Sequence, residues 1–489
     1  MPRSTWQTML GVLCFISLGL GALPARGQDA APPQESATGD KTEAEHLAEI
    51  QKYIAAQDFD NALLAWRGAV AGHPSSTDIF NSGLLLATNL MRGGQLELAS
   101  TVATEVVQGV TPLAADDANA LRILTLSLSL NSGVALQMEK FDSALALHDE
   151  SIEQLTAHPA IVDELLRTKA LALYRAQRLE AMRELVNEEL AKAKLRLNDA
   201  SSDPETRISI VEWLKLKSSL IAASDSDPSE SLPSLNEADA VLDLQWVWNH
   251  RGVDNVFAAW TNVRIRKINT ELQIEPLAAR DTLEKFRTDL EYVLDGLKPT
   301  PASAPVIERS IAALEQRINV ALKHVTLIGE PSMPILPAAW VNGDAIPPAD
   351  LKGKVVLIDF WAVWCGPCIA TFPHLREWNE QYAEQGLVTV GVTRYYKYDW
   401  DEAAQRPVAK GELSAEAEHR ALEEFARFHE LKHVFAVMDD TQLQEFYGVT
   451  GIPQAVLIDR EGRVRMIKVG SGEDNARALD AMIQQLLAE

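Results

Sequence analysis

The stretch DFWAVWCGPC at 359–368 decides how the C-terminal third of this chain is read. It begins inside an apolar run, KVVLIDFW at 354–361, with the length and branched side chains of a buried strand. It ends on two cysteines spaced Cys-x-x-Cys, where a helical pattern takes over. A pair so placed could be a metal clip, a staple or a reaction centre. Zinc wants four nitrogen or sulfur ligands, and here there is one pair, with His374 on a helix expected to point it elsewhere. A disulfide closing so short a loop removes little entropy from the unfolded chain, so it makes a poor staple. Reaction centre is the reading that remains.

The residue types suit that chemistry. Cys365 falls just before a helix, where unpaired N–H groups and the helix dipole favour an anion and hence the reactive thiolate. Cys368 is one turn on and within reach to resolve a mixed disulfide. Gly366 permits a close turn, and Pro367 fits a first helical turn, where its missing N–H costs little. Asp359 interrupts the apolar strand. Burial there raises a carboxyl pKa toward the range useful for proton transfer.

Working outward, LVTVGV at 387–392 reads as a second buried strand. IPQAVLID at 452–459 and RVRMIKVG at 463–470 read as a hairpin, and DNARALDAMIQQLL at 474–487 as a closing helix. Upstream, 328–354 is rich in Pro and Gly and reads as a linker running into a loop-rich domain start. Between the second strand and the hairpin lies an insertion, 394–434, whose aromatic run YYKYDW at 395–400 is expected to form part of a substrate rim.

The order βαβ, insertion, ββα resembles the thioredoxin fold, and more narrowly the exported thiol–disulfide oxidoreductases of the TlpA/ResA type. The residues that carry the resemblance are LKGKVVLIDFWAVWCGPC at 351–368, TFP at 371–373, YGVTGIP at 447–453 and LIDREG at 457–462. It covers 328–489. It implies exchange with protein thiols and disulfides, with Cys365 as nucleophile, Cys368 as resolving thiol and Asp359 handling a proton. Pro453 matches the cis-proline facing the cysteines. Ile452, Trp364, Gly366 and Pro367 would meet the substrate. The resemblance implies no cofactor and no metal. CGPC matches the reducing motif of thioredoxin, so a reductase fed by an upstream redox protein is expected. A peroxidatic pattern is absent, since Asp359 stands where its proline belongs. Thr371 occupies a position where many relatives carry a glutamate.

The rest of the chain is different in kind. Of 489 residues, 47% are apolar, and the net charge of −24 argues against a surface that tracks nucleic-acid phosphates. Residues 44–325 read as helical throughout, in a loose tetratricopeptide-like repeat with Phe59, Leu96, Phe141 and Leu179 as equivalent positions. Stacked helix pairs leave a concave surface suited to a protein partner. Trp246, Trp248 and Trp260 read as helix-core residues rather than a binding platform. The fold class is thus multidomain, an α-helical repeat region followed by an α/β thioredoxin-like domain.

Residues 1–27 have the basic start, apolar run and small-residue site of a signal peptide, with Cys14 inside it, and 28–43 reads as a flexible leader. The apolar run is shorter than a membrane span, so a periplasmic or other extracytoplasmic location is expected over an uncleaved anchor. Only Cys365 and Cys368 lie beyond it. A second function remains open: a binding scaffold whose thioredoxin-like domain merely docks.

Overall fold

The computed structural model describes residues 41–199, 203–224 and 227–489. The expected signal segment, Cys14 and the leader up to residue 40 lie outside the described residues.

From Glu43–Ala55 to Ala304–Leu327 the described chain is helix after helix with short turns. One turn recurs. Phe59, Leu96, Phe141 and Leu179 each open a helix. The residues two before them, Gln57, Gly94, Glu139 and Gln177, have positive φ of 57°, 77°, 59° and 57°. A left-handed residue ends each preceding helix and reverses the chain. The helices bury two cores. One runs from Ile50 to Leu165 around Trp66 and Phe80, the other from Phe141 to Ile318 around Trp213, Trp260 and Phe286. Trp246 and Trp260 are buried as expected, whereas Trp248 is half-buried, stacks on Tyr292 and lies under Arg251.

Close approach in the first core depends on Gly83. A Cβ there would come within 2.5 Å of the Trp66 ring, whose Nε1 donates to the Ile79 carbonyl at 3.0 Å. Gly83→Ala is therefore expected to destabilise the helical region by about 1–3 kcal/mol through overpacking, despite alanine's better helix propensity. Urea melts followed by circular dichroism would measure it, and an unchanged midpoint would contradict the tight fit.

The C-terminal part is built on strands β1 (Ala339–Val341), β2 (Val355–Phe360), β3 (Leu387–Thr393), β4 (Tyr398–Asp401), β5 (Arg406–Ala409), β6 (Val434–Val437), β7 (Gln454–Ile458) and β8 (Val464–Val469). Its helices are α1 (Gly366–Tyr382), α2 (Ala415–Phe428), α3 (Gln442–Phe446) and α4 (Glu473–Ala488). Six strands form one sheet in the order β1-β6-β3-β2-β7-β8, and β4 with β5 makes a separate hairpin. β2 is parallel to β3 and antiparallel to β7. Every residue of β2 is buried because both faces are covered. Val355 and Leu357 face α1, α2 and α4, while Val356, Ile358 and Phe360 pack with Leu443, Tyr447 and Leu327.

The sequence pattern marks β2, β3, β7, β8 and the closing helix. β1, β4, β5 and β6 are only three or four residues long, too short for a period to register. The stretch after residue 328 is packed into the C-terminal domain from its start. Gly329 N–H donates to the Val464 carbonyl, Val464 N–H to that of Glu330 and Ser332 N–H to that of Gly462, so the segment runs along β8. Just before it, Lys323 Nζ donates to the Glu445 carbonyl and His324 Nε2 to that of Tyr447 at 3.0 Å.

Candidate active site

β2 delivers the chain into the turn that carries the cysteines. Cys365 is the N-cap of α1, and the Cys368 amide points at its sulfur at 3.2 Å. The two cysteines are joined in a disulfide. Cys365 is 4% exposed and Cys368 is wholly buried, so an attacking sulfur can approach only the first. Pro367 sits in the first turn of α1 as expected. At Gly366 φ is not positive, and nothing lies within 4 Å of where a Cβ would be, so no close turn demands glycine. The position borders open space beside the disulfide.

Across from the cysteines, the Ile452–Pro453 bond is cis, and the Ile452 carbonyl oxygen lies 3.8 Å from Cys365 Sγ. Gly470 N–H donates to the Pro453 carbonyl at 2.9 Å, which ties this loop to the end of β8. Two chain segments distant in sequence thus meet at one sulfur. Trp361 is buried among Phe372, Phe425 and Phe435. Trp364, by contrast, is 49% exposed and meets the edge of Tyr396 at 5.7 Å. The 395–400 run therefore does reach the rim of the site.

Asp359 is 3% exposed, and its Oδ2 has no hydrogen-bond partner among the described residues. Burial pushes its pKa up to about 7. It lines a cavity of about 30 Å³ with Thr371, His374, Trp378, Pro453 and Asn475. That is space for a water molecule or two. Thr371, in the first turns of α1, donates its hydroxyl to the Cys368 carbonyl at 2.7 Å. The cavity therefore borders the cis-proline, and Thr371 links it to the Cys368 backbone.

Sequence reading set His374 aside because it could not join the cysteines around a metal. The structure instead places it in the Asp359 cavity, stacked on Trp378 and 3.6 Å from Glu473. Its spacing of three from Thr371, one helical turn, was the available signal. Glu418, in the insertion, carried no signal at all.

Residues 324–483 match the Redoxin family. Among characterised proteins, the chain is similar to the thiol-disulfide oxidoreductase ResA of Bacillus cereus, at 27% identity over 30% of this chain and 71% of ResA. It is also similar to Protein DipZ of Mycobacterium tuberculosis, at 33% identity over 30% of this chain and only 19% of DipZ. A solved structure from Chlorobium tepidum, a provisionally assigned thiol:disulfide interchange protein DsbE, matches 33% of this chain and 97% of its own. Its identity is 28% and its TM-score 0.26. The C-terminal region is a thioredoxin-like redoxin domain, preceded by a helical region that these matches do not cover.

Proposed function

We propose that this thiol–disulfide oxidoreductase is an exported reductase of protein disulfides, built from a redoxin domain at 328–489 and a partner-recruiting helical region at 44–325. The observation that carries the reading is the lopsided burial of the disulfide at the start of α1, with the Ile452–Pro453 loop facing the accessible sulfur.

In the reduced protein the Cys365 thiolate, supported by the Cys368 amide and the helix start, attacks one sulfur of a substrate disulfide. That bond breaks, a mixed disulfide forms, and the first substrate sulfur leaves as a thiolate. Cys368 gives its proton to the Asp359 carboxylate and attacks Cys365 Sγ, which frees the second substrate thiolate. The products are a substrate dithiol, after protons return from Asp359 and solvent, and the intramolecular disulfide. Two electrons and two protons from an upstream dithiol protein restore the start. Trp364, Gly366, Pro367 and Ile452 border the space a substrate chain would occupy. Export rests on the 1–27 segment; among the described residues no helix is long and apolar enough to cross a membrane.

The test is the midpoint potential together with insulin reduction. Equilibration in dithiol buffers is expected to place the pair near thioredoxin's value of about −270 mV, with dithiothreitol-driven insulin reduction well above background. A value near −120 mV would make it an oxidant, and no insulin reduction at all would end the reading.

A further inference from the structure

The insertion carries a buried carboxylate that the exchange chemistry does not use. Glu418, in the first turns of α2, is 3% exposed. It accepts three successive backbone N–H groups, from Tyr396 at 2.5 Å, Lys397 at 2.9 Å and Tyr398 at 3.2 Å. Lys397 has a φ of +63°, the left-handed turn that lets consecutive amides converge on one anion. A buried carboxylate held by several amides fixes the backbone around it, because leaving either side unpaired is costly.

What this clamp fixes is Tyr396. Its ring meets the edge of Trp364 at 82°. The loop is held on both flanks, by Tyr395 Oη near His419 Nδ1 at 3.3 Å and by Trp400 packed on Phe425 and Phe428. Trp364 immediately precedes Cys365, whose sulfur makes the attack in the proposed reaction. A substrate sulfur has to come within about 2 Å of Cys365 Sγ to bond. A substrate chain approaching from the Trp364 side would bring the residue next to its cysteine toward Trp364 and Tyr396. Two aromatic rings, one half-exposed, offer apolar area with little flexibility to lose.

We propose that Glu418 positions the 395–398 loop so that Tyr396 and Trp364 form a wall selecting extended protein segments with a large apolar residue next to the reacting cysteine. The proposal rests on the disulfide-reductase reading above. A small disulfide reaches Cys365 without touching Tyr396 and so serves as its control.

The test compares wild type with Tyr396→Ala, Tyr396→Phe and Glu418→Gln on three substrates: bis(2-hydroxyethyl) disulfide, and two disulfide-linked peptides with either Leu or Ser beside the cysteine. Wild type is expected to favour the Leu peptide. Tyr396→Ala and Glu418→Gln should lower kcat/KM for that peptide about tenfold, mainly through KM. The Ser peptide and the small disulfide should be unchanged, and Tyr396→Phe should keep the preference. Tyr396 is at the rim, so its variants remain informative if Glu418→Gln fails to fold. An equal loss on both peptides, or no preference in wild type, overturns the wall. Inactive wild type on the small disulfide overturns the reductase reading instead.

Discussion

Insulin reduction is expected to fall at least about 10³-fold in Cys365→Ser, while Cys368→Ser is expected to accumulate a covalent adduct with its substrate. The two variants differ because the two sulfurs do. Cys365 keeps the only access, at 4% exposure against none for Cys368, with an amide and a helix start to hold its charge. A serine hydroxyl is far too weak an acid to replace it, so the first bond never forms. In Cys368→Ser the first attack proceeds and the second cannot, because the buried resolving thiol is gone. Mass spectrometry of the trapped species, lost on adding dithiothreitol, would identify the partner. The scaffold alternative gives a different result: Cys365→Ser would keep partner binding and biological effect, and Cys368→Ser would trap nothing. Trapping by Cys365→Ser instead of Cys368→Ser would reverse the assigned roles.

Asp359→Asn is expected to have opposite effects on stability and turnover. The Asp359 pKa is raised by burial from 3.8 to about 7. In the unfolded chain it ionises near 3.8, so between those values the folded state holds a proton that the unfolded state has lost. Stability is therefore undiminished below about pH 3.8, falls as pH rises toward about 7, and stays at the lower level beyond. At about 1.36 kcal/mol per tenfold change in proton affinity, the loss reaches at most about 4 kcal/mol. Asparagine cannot ionise. The variant should match wild type near pH 4 and exceed it increasingly up to about pH 7, less what an unpartnered amide loses. Meanwhile decay of the mixed disulfide at pH 7 should slow by about 10²-fold, since Cys368 loses its base. The gap should close at alkaline pH as hydroxide takes over. Denaturant melts and stopped-flow fluorescence across pH 4–9 would measure both. A stability difference that does not change with pH would show that Asp359 ionises in the fold as it does in the unfolded chain, and would overturn the raised pKa.

The chemistry was legible from ten residues because strand, turn and helix start follow one another directly at 355–368. Local sequence there determines what the sulfurs touch. Pro453 was legible only through resemblance, since nothing in YGVTGIP states which part of the fold it faces. Gly366 permits the turn, as its sequence suggests, but nothing packed around it requires glycine there. The short strands β4 and β5 and the role of Glu418 stayed hidden for a common reason. Their partners lie about twenty residues away or across a hairpin, and a polar, half-exposed stretch shows no period. The helical turns are more regular in form: Phe59, Leu96, Phe141 and Leu179 each open a helix two residues after a left-handed residue, although their spacing is irregular.

The last helix of the N-terminal region does not stop at a hinge. Leu327 ends it inside the core beneath the central sheet, and Lys323 and His324 grip the segment at 445–447 that leads on to Pro453. Cargo held by the helices would then be offered to the sulfur from a set bearing, as work is offered to a tool fixed in a jig. On the proposed reading, which cysteine of such a partner reacts would depend on how many residues separate it from where the helices hold it.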